Sequence, residues 1–167
     1  MTALIGAALA ASVTMARADI SVRAAPPGAA RCAPTSAQDN RAGAVATNSV
    51  RARAGLAAVR PSAVLARVAA AHACDMARRG TMAHRGSRTT GPAQRVKQMG
   101  YAPRITAENI AAGPFGLGQV LGAWTGSPGH LDNILIPQVR DYGIGRAVGS
   151  DGRTVFWAAV YAAPKGR

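Results

Sequence analysis

The stretch 142-YGIGRAVGSDGRTVFWAAVYA-162 decides the fold class of this chain. Tyr142, Ile144 and Val148 start a strand with apolar side chains, Ser150-Asp151-Gly152 supplies turn residues, and Thr154 to Tyr161 runs back. Such a pattern is a β-hairpin, because β-branched and aromatic residues suit a pleated surface while Gly, Asp and Ser suit the turn. Upstream of it the apolar residues recur mostly at helical spacing. Helices first and strands late predict an α+β protein in which helices cover an antiparallel sheet.

Working outward, a first helix starts near Ser36, with Asp39 three residues on as a variant capping box. Its apolar residues are Ala42, Val45, Ala46, Val50 and Ala54, with Arg41, Asn48, Arg51 and Arg53 between them, and Gly55 ends it. A second helix begins after Pro61-Ser62, carries Leu65, Val68, Ala69, His72 and Met76 on one stripe, and is closed by Gly80. Residues 81–91 read as a loop, Pro92 to Met99 as a short helix, 105-ITAENIAAG-113 as a strand passing into a turn, and Leu117 to Thr125 as another short helix. In 124-WTGSPGHLDNIL-135, Ser127 takes the capping position and Pro128 the first helical one, which places His130 in the first turn. The positive end of the helix dipole disfavours an imidazolium there. His130 therefore packs neutrally or uses its neutral nitrogens.

With 167 residues the chain suits a single domain. Residues 1–18 read as a secretory signal peptide: Ala3 to Ala16 is small and apolar, and Ala16-Arg17-Ala18 is an A-x-A cleavage signal. No Lys or Arg precedes that run, so a buried N-terminal helix is the competing reading. Residues 19–35 read as an extended segment and 36–165 as the domain, with no other stretch able to span a membrane. A secreted or periplasmic protein is expected. Two cysteines, Cys32 and Cys74, fit one disulfide in an exported protein, or two free buried thiols. The net charge is +13, from 18 Arg and 2 Lys against seven carboxylates. That balance favours anionic partners. The cations are scattered without a block of five or six, which argues against a dedicated nucleic-acid tail and leaves solvated faces as the plain account.

The chain has one glutamate, Glu108, in the apolar context of Ile105, Ala107, Ile110 and Ala111. A carboxylate buried there needs a partner, either a cation it helps to ligate or one of the arginines. Of the three histidines, His72 lies on a core stripe and reads as a satisfied core or cavity-lining residue, whereas His84 and His130 sit in Gly-bracketed positions. Two imidazoles and a carboxylate can ligate a divalent cation such as zinc. The spacings of 24 and 22 residues do not by themselves bring them together. Ser127 lacks the G-x-S-x-G elbow, Cys74 is mid-helix, and GPFGLG has no following Lys-Ser/Thr, so hydrolase-nucleophile and phosphate-loop readings find no support.

Taken in order, LARVAAAHACDMARRG, MAHRG, RVKQMGY, ENIAAG, VLGAWTGSPGHLDNIL and YGIGRAV resemble the bacterial branch of the CAP superfamily, the SCP-domain group of cysteine-rich secretory, antigen 5 and pathogenesis-related proteins. The resemblance runs from about residue 39 to 163. It implies a three-layer α-β-α sandwich with a central antiparallel sheet. It also implies a cavity lined by His84, Glu108 and His130, the positions that could hold a cation. Animal and plant members carry a second glutamate after the tryptophan segment; here Trp124 is followed by Thr-Gly-Ser. The family implies a non-enzymatic, secreted, monomeric binding module for lipid or anionic cell-envelope ligands. The alternatives are a metal-dependent hydrolase using Glu108 as base and a structural envelope protein.

Overall fold

The computed structural model describes residues 21–166, and the expected signal peptide lies outside them. In chain order the elements are β1 (Val22–Arg23), β2 (Arg31–Cys32), α1 (Ala37–Arg53), β3 (Arg60–Pro61), α2 (Ala63–Arg79), β4 (Thr81–Met82), α3 (Pro92–Gln98), β5 (Pro103–Gly113), α4 (Leu117–Thr125), α5 (Pro128–Ile134), β6 (Asp141–Val148) and β7 (Val155–Pro164). The hairpin read from the sequence is β6–β7, antiparallel from Val148↔Val155 to Asp141↔Ala162. Asp151 builds its turn: its carboxylate accepts from the backbone N–H of Arg153 and Thr154 and from the Thr154 hydroxyl. β5 adds antiparallel to the outer edge of β7, β2 adds antiparallel to β6, and β3 lies parallel to β6 at Asp141 and Tyr142. β1 and β4 form a separate two-stranded ribbon.

Alternation along these strands produces two apolar faces. One carries Ala147, Phe156, Ala158, Val160, Ala162 and Ile110, and packs against Leu65, Val68, Ala69, Ala73 and Met76 of α2 and Val96 of α3. The other carries Tyr142, Ile144, Trp157, Ala159 and Tyr161, and packs against Ala44 of α1, Val120 and Trp124 of α4 and Ile134 of α5. The sheet is thus the middle layer of an α-β-α sandwich. α2 lies close on β6 because Gly143 and Gly145 have no side chains there; a Cβ on either would collide with the backbone of Leu65–Ala66 or Ala69–Ala70.

The helix starts match their local chemistry. Ser36 Oγ accepts from Asp39 N at 2.9 Å and Ser62 Oγ from Leu65 N at 3.3 Å, and α2 ends on Gly80 at φ +63°. Cys32 and Cys74 form a disulfide that ties β2 to α2. Two expectations are corrected. α1 buries Asn40, Gly43, Ala44, Thr47 and Arg51, a different face from the Ala42–Val45–Ala46 stripe. Val45 is 65% exposed while Arg51 is fully buried. The reason is local: Tyr142 leaves no room for a Cβ at Gly43, and Arg51 donates to Ala57 O at 2.8 Å, Ile134 O at 2.7 Å and Ile136 O at 2.9 Å. The Ile134 and Ile136 carbonyls lie at the end of α5 and just after it, where a cation is favoured, and the Ala57 carbonyl lies in the loop after α1. The stretch 105–113 is not a strand running into a turn; it is part of one 11-residue strand, whose small Ala111, Ala112 and Gly113 lie opposite the bulky Trp157, Phe156 and Val155.

Candidate functional site

Glu108 is the centre of the site. It projects from β5 toward α2 and α3 and is 4% exposed. His84 Nδ1 donates to Oε1 at 2.9 Å, and Arg95 Nη2 donates to Oε2 at 2.6 Å. His72 Nε2 donates to Ala83 O at 3.0 Å and lies 3.6 Å from Oε1. Arg95 also donates through Nη1 to His84 O at 2.9 Å and Thr89 Oγ1 at 3.0 Å. One guanidinium therefore fixes the 84–89 loop against the buried carboxylate. The donation from His84 Nδ1 leaves its Nε2 with a lone pair while the ring is neutral. The side chain of His84 is 43% exposed, so this cluster reaches solvent through that ring.

Electrostatics follow from these contacts. Burial alone would push the Glu108 carboxyl up. The hydrogen bond from His84 and the Arg95 guanidinium outweigh it, so the carboxyl is held below its ordinary value and stays ionised. His72 is pushed down to about 4 by burial, with the Glu108 carboxylate opposing and the Arg95 charge assisting. At neutral pH His72 is a neutral donor to Ala83 O, and its Nδ1 is buried without a partner. Behind the cluster, a cleft of about 390 Å³ between α2, the 86–89 loop and α3 is lined by Val68, His72, Thr89, Arg95 and Met99.

His130 belongs to α5 and approaches from the other helical layer at the β5 edge. Two asparagines set its position. Asn109 Nδ2 donates to His130 O at 3.0 Å, while Asn133 Nδ2 donates to Asn109 Oδ1 at 2.8 Å and to Glu108 O at 3.2 Å. The His130 pKa is lowered by burial and by the nearby His84. A place in the first helical turn acts in the same sense. Its Nδ1 is buried and unpartnered. Ser127 stands at the capping position in extended conformation, but its side chain makes no capping bond.

The structure thus brings His84 directly onto Glu108 and places His130 beside His84. Among the described residues, no three His, Cys, Asp or Glu side chains converge as a metal-ligand set. At Glu108 each oxygen already accepts one hydrogen bond, from His84 and from a guanidinium 2.6 Å away, so a cation there would compete with both donors. It would also face that fixed positive charge. Sequence reasoning named an arginine as one way to satisfy Glu108 but not which arginine. Arg95 is the one, along with Asn109 and Asn133 as the residues that hold α5. Asn109 adjoins the sole glutamate and Asn133 follows His130 by three residues, and those adjacencies are the signal that pointed to them.

A family model described as "CAP: Cysteine-rich secretory protein family" matches residues 45–161. The uncharacterized protein YkwD of Bacillus subtilis is 31% identical over 99 residues, covering 59% of this chain and 38% of YkwD, so the chain spans well under half of that relative. An outer surface protein of Borrelia burgdorferi superposes with a TM-score of 0.69 at 21% identity, over 78% of this chain and 96% of that one. An extracellular SCP-domain protein of Bacillus anthracis superposes with a TM-score of 0.67 at 24% identity, over 75% of this chain and 40% of that one. At these identities the two structures speak for the fold, and the family model for descent. With the sandwich, the ENI strand and the SPGH helix in their places, the chain belongs to the CAP family of cysteine-rich secretory proteins.

Proposed function

We propose that this protein is a non-enzymatic binding module that works outside the cytoplasm on lipid or other anionic envelope ligands. The observation that carries the non-enzymatic part is the engagement of Glu108. A general base must be free to take a proton from water or substrate. Here the sole glutamate is 4% exposed and shared between Arg95 and His84. The cluster acts as a polar rivet between the 84–89 loop, α3 and β5. For the same reason this reading contains no resident divalent cation.

The net charge of +13 supports an anionic ligand. Export is supported by the expected signal peptide and the Cys32–Cys74 disulfide. The extracellular and outer-surface neighbours accord with it. Among the described residues no helix is long and apolar enough to cross a membrane.

The test is co-sedimentation of the purified protein with phosphatidylglycerol-containing and pure phosphatidylcholine vesicles, together with native mass spectrometry of protein isolated from envelope fractions. Binding to the anionic vesicles at low salt, or a bound lipid adduct, is expected. A clean apo mass with no vesicle binding would overturn the reading. Metal analysis of the same sample is expected to find zinc well below stoichiometric.

A further inference from the structure

The end of the main sheet away from the β6–β7 turn gathers cations from separate parts of the chain. Arg60 of β3, Arg104 of β5 and Arg140, just before β6, line one cleft of about 760 Å³ together with Tyr101 and Asp141. On the other side of Tyr101 a second cleft, of about 360 Å³, is lined by Lys97 and Lys165, the only two lysines of the chain. Five cations thus surround one tyrosine.

The carboxylate among them is already used. Asp141 Oδ1 accepts from Arg60 at 3.0 Å and Oδ2 from the Tyr101 hydroxyl at 2.8 Å. Arg104 and Arg140 form no ion pair with any side chain among the described residues. Arg140 is nonetheless held in place, because its Nη1 donates to Pro137 O at 2.7 Å and Val139 O at 2.8 Å. A guanidinium that is positioned but not neutralised binds an anion at low ordering cost. Its planar fork matches two oxygens of a phosphate.

We propose that this sheet end is a phosphate-binding site, taking the phosphate of a mono- or diester through Arg104 and Arg140 in the larger cleft, with Lys97 and Lys165 beside Tyr101 adding attraction at longer range. The inference rests on the anionic-ligand reading above and assigns it a place. The site is separate from the Glu108 cluster and uses none of its residues.

The test compares wild type with two triple variants. One is Lys97→Gln/Arg104→Gln/Lys165→Gln; the other removes the same charge elsewhere, at exposed Arg41→Gln/Arg53→Gln/Arg153→Gln. Thermal melts establish that each is folded. At low salt the sheet-end variant should lose about a hundredfold in affinity for phosphatidylglycerol vesicles, at roughly a tenfold or smaller loss for the control. A parallel titration with inorganic phosphate, followed by amide NMR, should shift Tyr101 and Arg104. Vesicle binding together with those shifts places the phosphate on a lipid headgroup; the shifts without vesicle binding place it on a soluble ester. Equal losses in the two variants would overturn the site while leaving the anionic-ligand reading intact. A wild type that neither binds vesicles nor responds to phosphate would overturn both.

Discussion

Glu108 remains a carboxylate inside the protein because Arg95 is beside it. An ionised carboxylate in an apolar setting is costly unless paired and hydrogen-bonded, and this one has both kinds of partner. Breaking a buried pair from one side leaves the other charge stranded. Arg95→Met should therefore cost about 3–5 kcal/mol in urea unfolding at neutral pH, whereas Arg95→Met/Glu108→Leu, which removes both charges, should recover most of the loss. A loss under about 1 kcal/mol in the single variant would mean that the pair does not hold the loop. Rarity made Glu108, His84 and His130 legible in the sequence: one glutamate and three histidines stand out. Arg95 was hidden for the opposite reason, being one of 18 arginines, and nothing in its neighbours marks the one that turns inward. Arg51 misleads in the same way, as a charged residue whose role is to bind carbonyls in the interior.

At the scale of elements, helix–sheet distance is set by what is missing. α2 rests on β6 where Gly143 and Gly145 leave its backbone room to approach. Gly145→Ala would push a methyl into the backbone of Ala69 and Ala70, which cannot move without lifting the helix. That should cost about 3 kcal/mol or more. Gly122, exposed in α4 with nothing within 4 Å of an added Cβ, is the counter-example. Gly122→Ala should stabilise by about 0.5–1 kcal/mol, because a helix interior favours alanine and the unfolded chain loses freedom. Thermal melts of the two variants should move in opposite directions, and a fall in both would refute the packing account. The same logic explains which elements were legible. α2 was read correctly because large apolar residues mark its buried stripe. α1 was not, because in a chain rich in alanine its inward face is defined by Gly43 and polar residues fitted to Tyr142 and the α5 terminus, which no apolar periodicity can report.

At the scale of the whole molecule, the hairpin and the order of elements carried the α+β class, while the layer order came with the family resemblance. Two long-range devices then hold the layers. The Cys32–Cys74 bond closes a sequence separation of 42 residues, so its reduction should cost about 2–4 kcal/mol, seen as a lower melting temperature in dithiothreitol than in oxidised buffer. The buried Glu108 cluster acts differently, by making stability depend on pH. His72 is pushed down to about 4 from an ordinary 6.5, so the unfolded chain takes up a proton on it that the folded protein refuses. Its contribution is complete above 6.5 and is lost as the pH falls toward 4, with a slope of at most about 1.4 kcal/mol per pH unit. Glu108 is depressed as well, so its contribution stands above its ordinary value of 4.5 and is lost on further acidification. Both groups therefore weaken the fold in acid, His72 first. Unfolding free energies measured from pH 7 to below pH 4 should fall less steeply for His72→Gln than for wild type over the His72 interval and should regain a similar slope below it. Parallel curves across the whole range would mean that the imidazole is not the group the folded protein keeps neutral.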